Sequence, residues 1–187
     1  MAYDPESPYC AWTRNVIDEY KAISDEEIRQ RLVEKSNGFA VLMCHITGDF
    51  NIGTVIRSAN FHGVRDFFYY GKRKMDRRGA VGTYKYTPVN FIEDVESIKV
   101  LKQDYTLVAL ENNISATLPL RQFSWELPKP PCIVVGEECN GISPEVLELC
   151  DRFIEIPNYG SVRSMNVGAA ASIAMYDYVS KIRGHNT

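Results

Sequence analysis

Long apolar runs are missing from this sequence of 187 residues. The longest, such as the one opening at Phe39, extend about five residues, far short of the ~20 that a helix needs to cross a bilayer. The opening segment, MAYDPESPY, has neither the basic nor the apolar region of a secretory signal, so no membrane association and a cytoplasmic location are expected. Cysteine is sparse and unpatterned. Cys10, Cys44, Cys132, Cys139 and Cys150 form an odd set with no C-x-x-C pair, which argues for reduced thiols rather than a disulfide framework. His45, His62 and His185 are too scattered to form a ligand pair, so no metal is expected. An excess of either charge is also lacking. The net charge of −3 argues against a uniformly basic nucleic-acid binder, yet leaves room for a local basic patch.

The common nucleotide and hydrolase signatures are absent as well. No G-x-G-x-x-G follows an apolar run, which removes the usual dinucleotide fingerprint. Gly136 to Ser143 approaches a phosphate-binding P-loop, but Ile142 stands where the lysine must be, so NTP hydrolysis fails at its main residue. A G-x-S-x-G nucleophile elbow is missing.

What is present is alternation. The hydrophobic fraction of 45% and charged fraction of 24% suit one globular α/β domain with a good core. Residues 1–38 read as an N-terminal extension with one short helix. Ser24-Asp-Glu-Glu27 is a capping box flanked by Ile23 and Ile28 as a hydrophobic staple, and the helix should stop near Asn37-Gly38. From Phe39 the pattern repeats. FAVLMC, DFFYY from Asp66, YTLVALE from Tyr105, CIVVGE from Cys132 and RFIEIP from Arg152 read as strands. Between them, helices are predicted over residues 51–62 (Ile52, Val55, Ile56 and Ala59 inward, Gly63 closing), from Phe91 to about Gln103, from Ser143-Pro144, and over residues 167–183. Pro119, Pro128, Pro130 and Pro131 mark an irregular stretch. This order implies a mostly parallel sheet with helices on both faces.

In such a sheet, ligands bind outside the carboxyl ends of the strands. Three polar, glycine-bearing segments lie there: HITGDFNIGTVIRSA, GEECNGIS and NYGSVRSMN. The first contains Asn51-x-Gly53-x-x-x-Arg57-x-Ala59, the second Gly136-x-Glu138-x-x-Gly141-x-Ser143. The third runs from Ile156-Pro157 through Gly160 to Ser164-Met165-Asn166 and into an alanine-rich helix. Together, in order, they resemble the three motifs of the SPOUT superfamily of RNA methyltransferases, in its TrmH/SpoU-like branch that modifies ribose 2′-hydroxyls. The resemblance spans about residues 39–183 and makes residues 39–187 the methyltransferase domain.

It implies a deep C-terminal trefoil knot, a homodimer, and S-adenosyl-L-methionine bound by the last three loops. The cofactor positions carried over are Gly136, Ile156 and Met165, with Leu110 and Glu111 nearby. Glycine permits close backbone approach, and the apolar pair suits an adenine. Arg57 is the expected catalytic group. Because a guanidinium stays protonated, we read it as binding the adjacent phosphate and stabilising a developing alkoxide rather than as a base. Asn51, Ser164 and Asn166 would orient the arginine and ribose, and Glu138 would order its loop by accepting backbone N–H bonds.

For RNA contact the sequence offers Lys72, Arg73, Lys74, Arg77 and Arg78, a basic cluster after a strand, and Arg163 inside the third motif. Tyr84 and Tyr86 suit either base stacking or the core. Ala170, Ile173, Ala174 and Tyr178 suit either a dimer interface or the monomer core. The substrate expected is transfer RNA somewhat ahead of ribosomal RNA. Competing readings are a non-catalytic RNA-binding relative and an enzyme methylating a base nitrogen; the joint presence of Asn51, Arg57, Glu138, Ser164 and Asn166 disfavours both.

Overall fold

The computed structural model describes residues 16–44, 49–71, 78–137 and 140–184. Seven parallel strands form one sheet in the order β3-β2-β1-β6-β4-β7-β5. The strands are β1 (Ala40–Cys44), β2 (Asp66–Tyr70), β3 (Val89–Ile92), β4 (Thr106–Leu110), β5 (Leu118–Pro119), β6 (Pro131–Val135) and β7 (Arg152–Glu155). Helices α1 (Asp25–Glu34), α2 (Asp49–Phe61), α3 (Val95–Leu101), α4 (Pro144–Leu147) and α5 (Val167–Gly184) complete the fold.

The continuous apolar runs are explained by burial on both faces. Side chains alternate across a strand, so Val41, Met43, Ile133 and Val135 enter one core with α2 and α5. Ala40, Leu42, Cys132 and Val134 enter a second core with α3 and α4. On α2, Ile52, Val55, Ile56 and Ala59 are fully buried as the 3.6-residue period requires. Burial of each larger side chain stabilises the fold by roughly 1.5–3 kcal/mol. Gly63, at φ +70°, then turns the chain out of α2.

Several boundaries differ from expectation. The stretch expected to open a helix at Phe91 instead forms edge strand β3, paired with β2. Asp94 caps α3 by accepting a bond from Ser97 N at 2.7 Å, which fixes the helix start beyond Phe91. The proline-rich stretch contains the two-residue strand β5 and a 3-10 turn, Leu120–Gln122. Ser24 caps α1 through Glu27 N at 3.1 Å, but the Glu27 carboxylate pairs with Arg31 at 2.7 Å. Helix α1 ends at Glu34, and Gly38 (φ +78°) turns the chain into β1 rather than capping the helix.

Helix α1 is tied to the rest of the chain. Ile28 packs with Tyr20 and Tyr86, and Arg29 Nη2 donates to Lys85 O at 2.6 Å. At the other end, Lys181 Nζ donates to the carbonyls of Leu120 and Phe123, both at 3.0 Å, and pairs with Asp177 at 2.9 Å. Trp125 Nε1 donates to the same Asp177 at 2.8 Å. These bonds clamp the segment before β6 onto α5. Ala174 and Tyr178 are buried in the core with Ala171 and Met175, whereas Ala170 is half-buried and Ile173 exposed. The proposed small-plus-aromatic stripe on α5 is therefore divided between core and surface. Tyr86 is likewise a core residue and Tyr84 packs, half-buried, against the main core, so base stacking on Tyr86 is excluded by its burial.

Candidate functional site

Strand order explains where the site lies. β6, β4 and β7 are adjacent, so the loops leaving their carboxyl ends converge although they are distant in sequence. Between them lies a cavity of about 330 Å³, within the size range of small-molecule sites. Leu110, Val135, Ile156, Met165 and Val167 supply apolar walls, while Glu111, Asn112, Asn113 and Glu137 add polar groups.

The loop after β6 is folded tightly on itself. Glu137 and Gly141 exchange backbone bonds, N to O at 3.1 Å and 2.8 Å. A Cβ at Gly136 would lie 2.1 Å from the Gly141 carbonyl carbon, and Gly141 sits at φ +67°. Only glycine allows this approach. The loop is anchored by Glu111, a residue 9% exposed immediately after β4. Its Oε2 accepts from Ile142 N at 3.0 Å. Its Oε1 accepts from Asn112 N at 2.9 Å, Asn113 N at 3.2 Å and Asn113 Nδ2 at 3.1 Å. One carboxylate thus joins two walls of the cavity. Ile142, the residue in place of a P-loop lysine, is buried beneath it.

The third wall is the segment between β7 and α5. Asn158 forms an Asx-type turn, its Oδ1 accepting from Gly160 N at 2.8 Å while its Nδ2 donates to Val162 O. Asn112 Nδ2 donates to Arg163 O at 3.0 Å, tying this segment to the β4 loop. Asn166 caps α5 by accepting from Ala169 N at 3.2 Å, and its Nδ2 donates to Asn51 Oδ1 on α2 at 3.0 Å. Further along, Ser172 donates to Ser58 at 2.9 Å. Gly168 leaves room between these helices, since a Cβ there would press on Thr54 Cγ2 at 3.2 Å.

The five residues expected at the cofactor, Leu110, Glu111, Gly136, Ile156 and Met165, all line this cavity, as do Ser164 and Arg163. Asn51 and Asn166 meet beside it. Arg57 does not line it: its side chain is exposed on the outer face of α2, with no hydrogen bond or ion pair to a described residue. Of the basic cluster, Arg78 is exposed, while Lys72, Arg73, Lys74 and Arg77 lie outside the described residues, as do Glu138, Cys10, Cys139, His45 and His185. Among the described residues, Glu111 anchors the loop after β6. Glu111 was expected near the cofactor, and its anchoring of the β6 loop comes from the bond its Oε2 accepts from Ile142 N. Tyr159, 85% exposed, and Val162 also line the cavity and were not singled out.

Thiol chemistry is disfavoured by burial. Cys44, Cys132 and Cys150 are free and buried. Burial, and secondarily the Asp151 charge, pushes the Cys150 thiol up to about 12, and burial raises Cys44 and Cys132 as well. Among the described residues no group of three or more His, Cys, Asp or Glu could hold a metal, and no helix is long and apolar enough to cross a membrane.

The chain is 27% identical over 161 residues to a tRNA (guanosine(18)-2′-O)-methyltransferase of Aquifex aeolicus, covering 81% of this chain and 74% of the relative. It spans 64% of a TrmH family protein from Staphylococcus haemolyticus. The fold matches that of the A. aeolicus TrmH/SpoU tRNA modifying enzyme with a TM-score of 0.72 at 23% identity, covering 84% and 83% of the two chains. It also matches the SpoU methyltransferase AviRb of Streptomyces viridochromogenes in complex with AdoMet, with a TM-score of 0.70 at 23% identity, over 83% and 64%. The model of the SpoU rRNA Methylase family matches residues 38–176. The chain belongs to the SpoU rRNA Methylase family.

Proposed function

We propose that this chain is an S-adenosylmethionine-dependent RNA methyltransferase acting on a ribose 2′-hydroxyl. The observation that carries this reading is the cavity between the loops after β4, β6 and β7, in a family whose relatives include a tRNA ribose methyltransferase and an AdoMet-bound enzyme. The residues fit the cofactor. Leu110, Ile156 and Met165 offer apolar surface for an adenine, Gly136 lets the ligand approach the backbone, and Glu111 and Glu137 place negative charge at the wall facing a cationic ligand. Bound there, S-adenosylmethionine supplies a methyl group activated for in-line displacement.

The chain's own residues position the acceptor. Asn166 is held by the α5 cap and by Asn51, which fixes the junction of α2 with the third-motif segment. Arg57 follows Asn51 by six residues, about 9 Å along the helix, and its unpaired guanidinium is available to an RNA phosphate. As a fixed positive charge it would hold the phosphate and stabilise the ribose oxygen as its proton leaves to solvent or phosphate. Ser164, on the cavity wall, would orient the hydroxyl. Arg163 and Arg78 are exposed for further phosphate contact, and the same part is proposed for Lys72, Arg73, Lys74 and Arg77, with Glu138 supporting its loop.

We further propose a cytoplasmic homodimer with a C-terminal trefoil knot, residues 1–38 forming an extension of the domain at 39–187. The strand order supports the knot: β6 enters between β1 and β4, and β7 then returns outside β4. Exposed Phe61, Ile173 and Tyr176 near the α2–α5 crossing support the dimer, since such apolar groups favour a partner surface. The substrate is transfer RNA or ribosomal RNA, with the former favoured by the Aquifex relative. Titration calorimetry with S-adenosylmethionine tests the cavity: saturable binding is expected, weakened at least tenfold by Gly136→Ala, and absence of binding overturns the reading.

A further inference from the structure

A second concave site, of about 410 Å³, lies away from the cofactor cavity, between α1 and residues 84–90. Its walls carry Arg29, Lys85 and Asn90, with Thr87 at its base. Arg29 is held by the bond from its Nη2 to Lys85 O. Its side chain is 43% exposed, so the guanidinium presents part of its charge to solvent. The Lys85 side chain is exposed and the Asn90 amide lies on the exposed edge strand β3, neither with a partner among the described residues. The acid facing this group is Glu26, 3.7 Å from Arg29 Nη1 and itself two-thirds exposed, too loose to neutralise both cations.

The groove is joined to the face that bears Arg57. Asn60 Nδ2 donates to Thr87 Oγ1 at 3.1 Å, and Asn60 follows Arg57 by three residues, about 4.5 Å along α2. A polyanion crossing Arg57 and passing over the Asn60–Thr87 bond therefore meets Lys85 and Arg29 next. Two cations, the Asn90 amide and a concave wall match the repeating phosphates of a nucleic-acid backbone. We propose that the groove between α1 and residues 84–90 holds the phosphodiester backbone of the substrate RNA flanking the methylated nucleotide. The proposal rests on the RNA methyltransferase reading, and it gives α1 a part in substrate binding rather than in packing alone.

The test compares wild type with Lys85→Glu and Arg29→Ala, using total transfer RNA and fragmented ribosomal RNA as probes in binding titrations over a range of salt. Lys85→Glu preserves the backbone carbonyl that holds Arg29, so its folding should be intact; its unfolding midpoint and S-adenosylmethionine affinity should equal wild type. The expected result is RNA affinity lowered about tenfold or more, with the slope of log K against log salt shallower by about one for each cation lost. KM for RNA should rise more than kcat falls. Wild-type affinity and salt slope in Lys85→Glu would overturn the groove proposal while leaving the methyltransferase reading in place. If wild type binds neither RNA nor S-adenosylmethionine, both fall.

Discussion

Removing the Glu111 carboxylate should separate two walls of the cavity between the β4, β6 and β7 loops. Glu111 is 9% exposed and accepts four hydrogen bonds, one from Ile142 N across the cavity and three from its own loop. In Glu111→Ala, Asn112 and Asn113 are exposed and can turn to water, but Ile142 N is buried and loses the acceptor it has among the described residues. A hydrogen bond to a charged group contributes about 1.5–3 kcal/mol, and an orphaned buried donor costs a comparable amount. Water recovers part of the loss, so a destabilisation of about 2–4 kcal/mol is expected. Glu111→Gln is the sharper probe. Its amide can satisfy Ile142 N or the Asn112–Asn113 donors but turns an N–H towards the other set, so about 1–3 kcal/mol should be lost at nearly constant shape. Urea unfolding measures the stability and calorimetry the S-adenosylmethionine affinity, which should fall at least tenfold in both variants. Wild-type stability and affinity in Glu111→Gln would refute the view that this carboxylate builds the site.

Arg57→Ala should leave stability within about 0.5 kcal/mol, because the side chain is exposed and makes no hydrogen bond or ion pair with a described residue, and should leave cofactor affinity unchanged while methyl transfer falls by at least about a hundredfold; full activity would remove Arg57 from the chemistry. Lys181→Met should cost about 2–3 kcal/mol by orphaning the carbonyls of Leu120 and Phe123, measured by the same unfolding assay. For Cys150 the thiol lies at about 12 in the folded state against an ordinary value of 9.0. A raised folded value means the associated stability is complete below pH 9 and is lost as pH rises towards 12. Unfolding free energy measured across pH 9–12 should therefore fall, and in Cys150→Ala the decline should be shallower by up to about 1.4 kcal/mol per pH unit.

Elements buried on two faces were legible in the sequence because burial leaves a continuous apolar run, as in β1, β4 and β6. The edge strand β3 was not. Only Ile92 of its four residues is buried, and Asn90 and Phe91 face outward, so it carries neither a continuous apolar run nor a strict alternation. Strand β5, with two residues, is too short for any period. The positions expected at the cofactor, carried by motifs that fix glycine and apolar residues at loop starts, each line the cavity. Glu111 was expected near the cofactor, but its bond to Ile142, thirty-one positions away, was not legible because it exists only once β4 and β6 lie side by side. The sequence also left open whether Tyr86 and Tyr178 serve partners or the core. Burial against Ile28 and Phe39 places them in the core.

The central claim is best tested by incubating the full chain with isotopically labelled S-adenosylmethionine and either total transfer RNA or ribosomal RNA, then digesting to nucleosides for mass spectrometry. The account predicts label on the ribose of a 2′-O-methylated nucleoside in one of the two RNA classes. Label on a base, or none in either class with a protein that binds the cofactor, would contradict it.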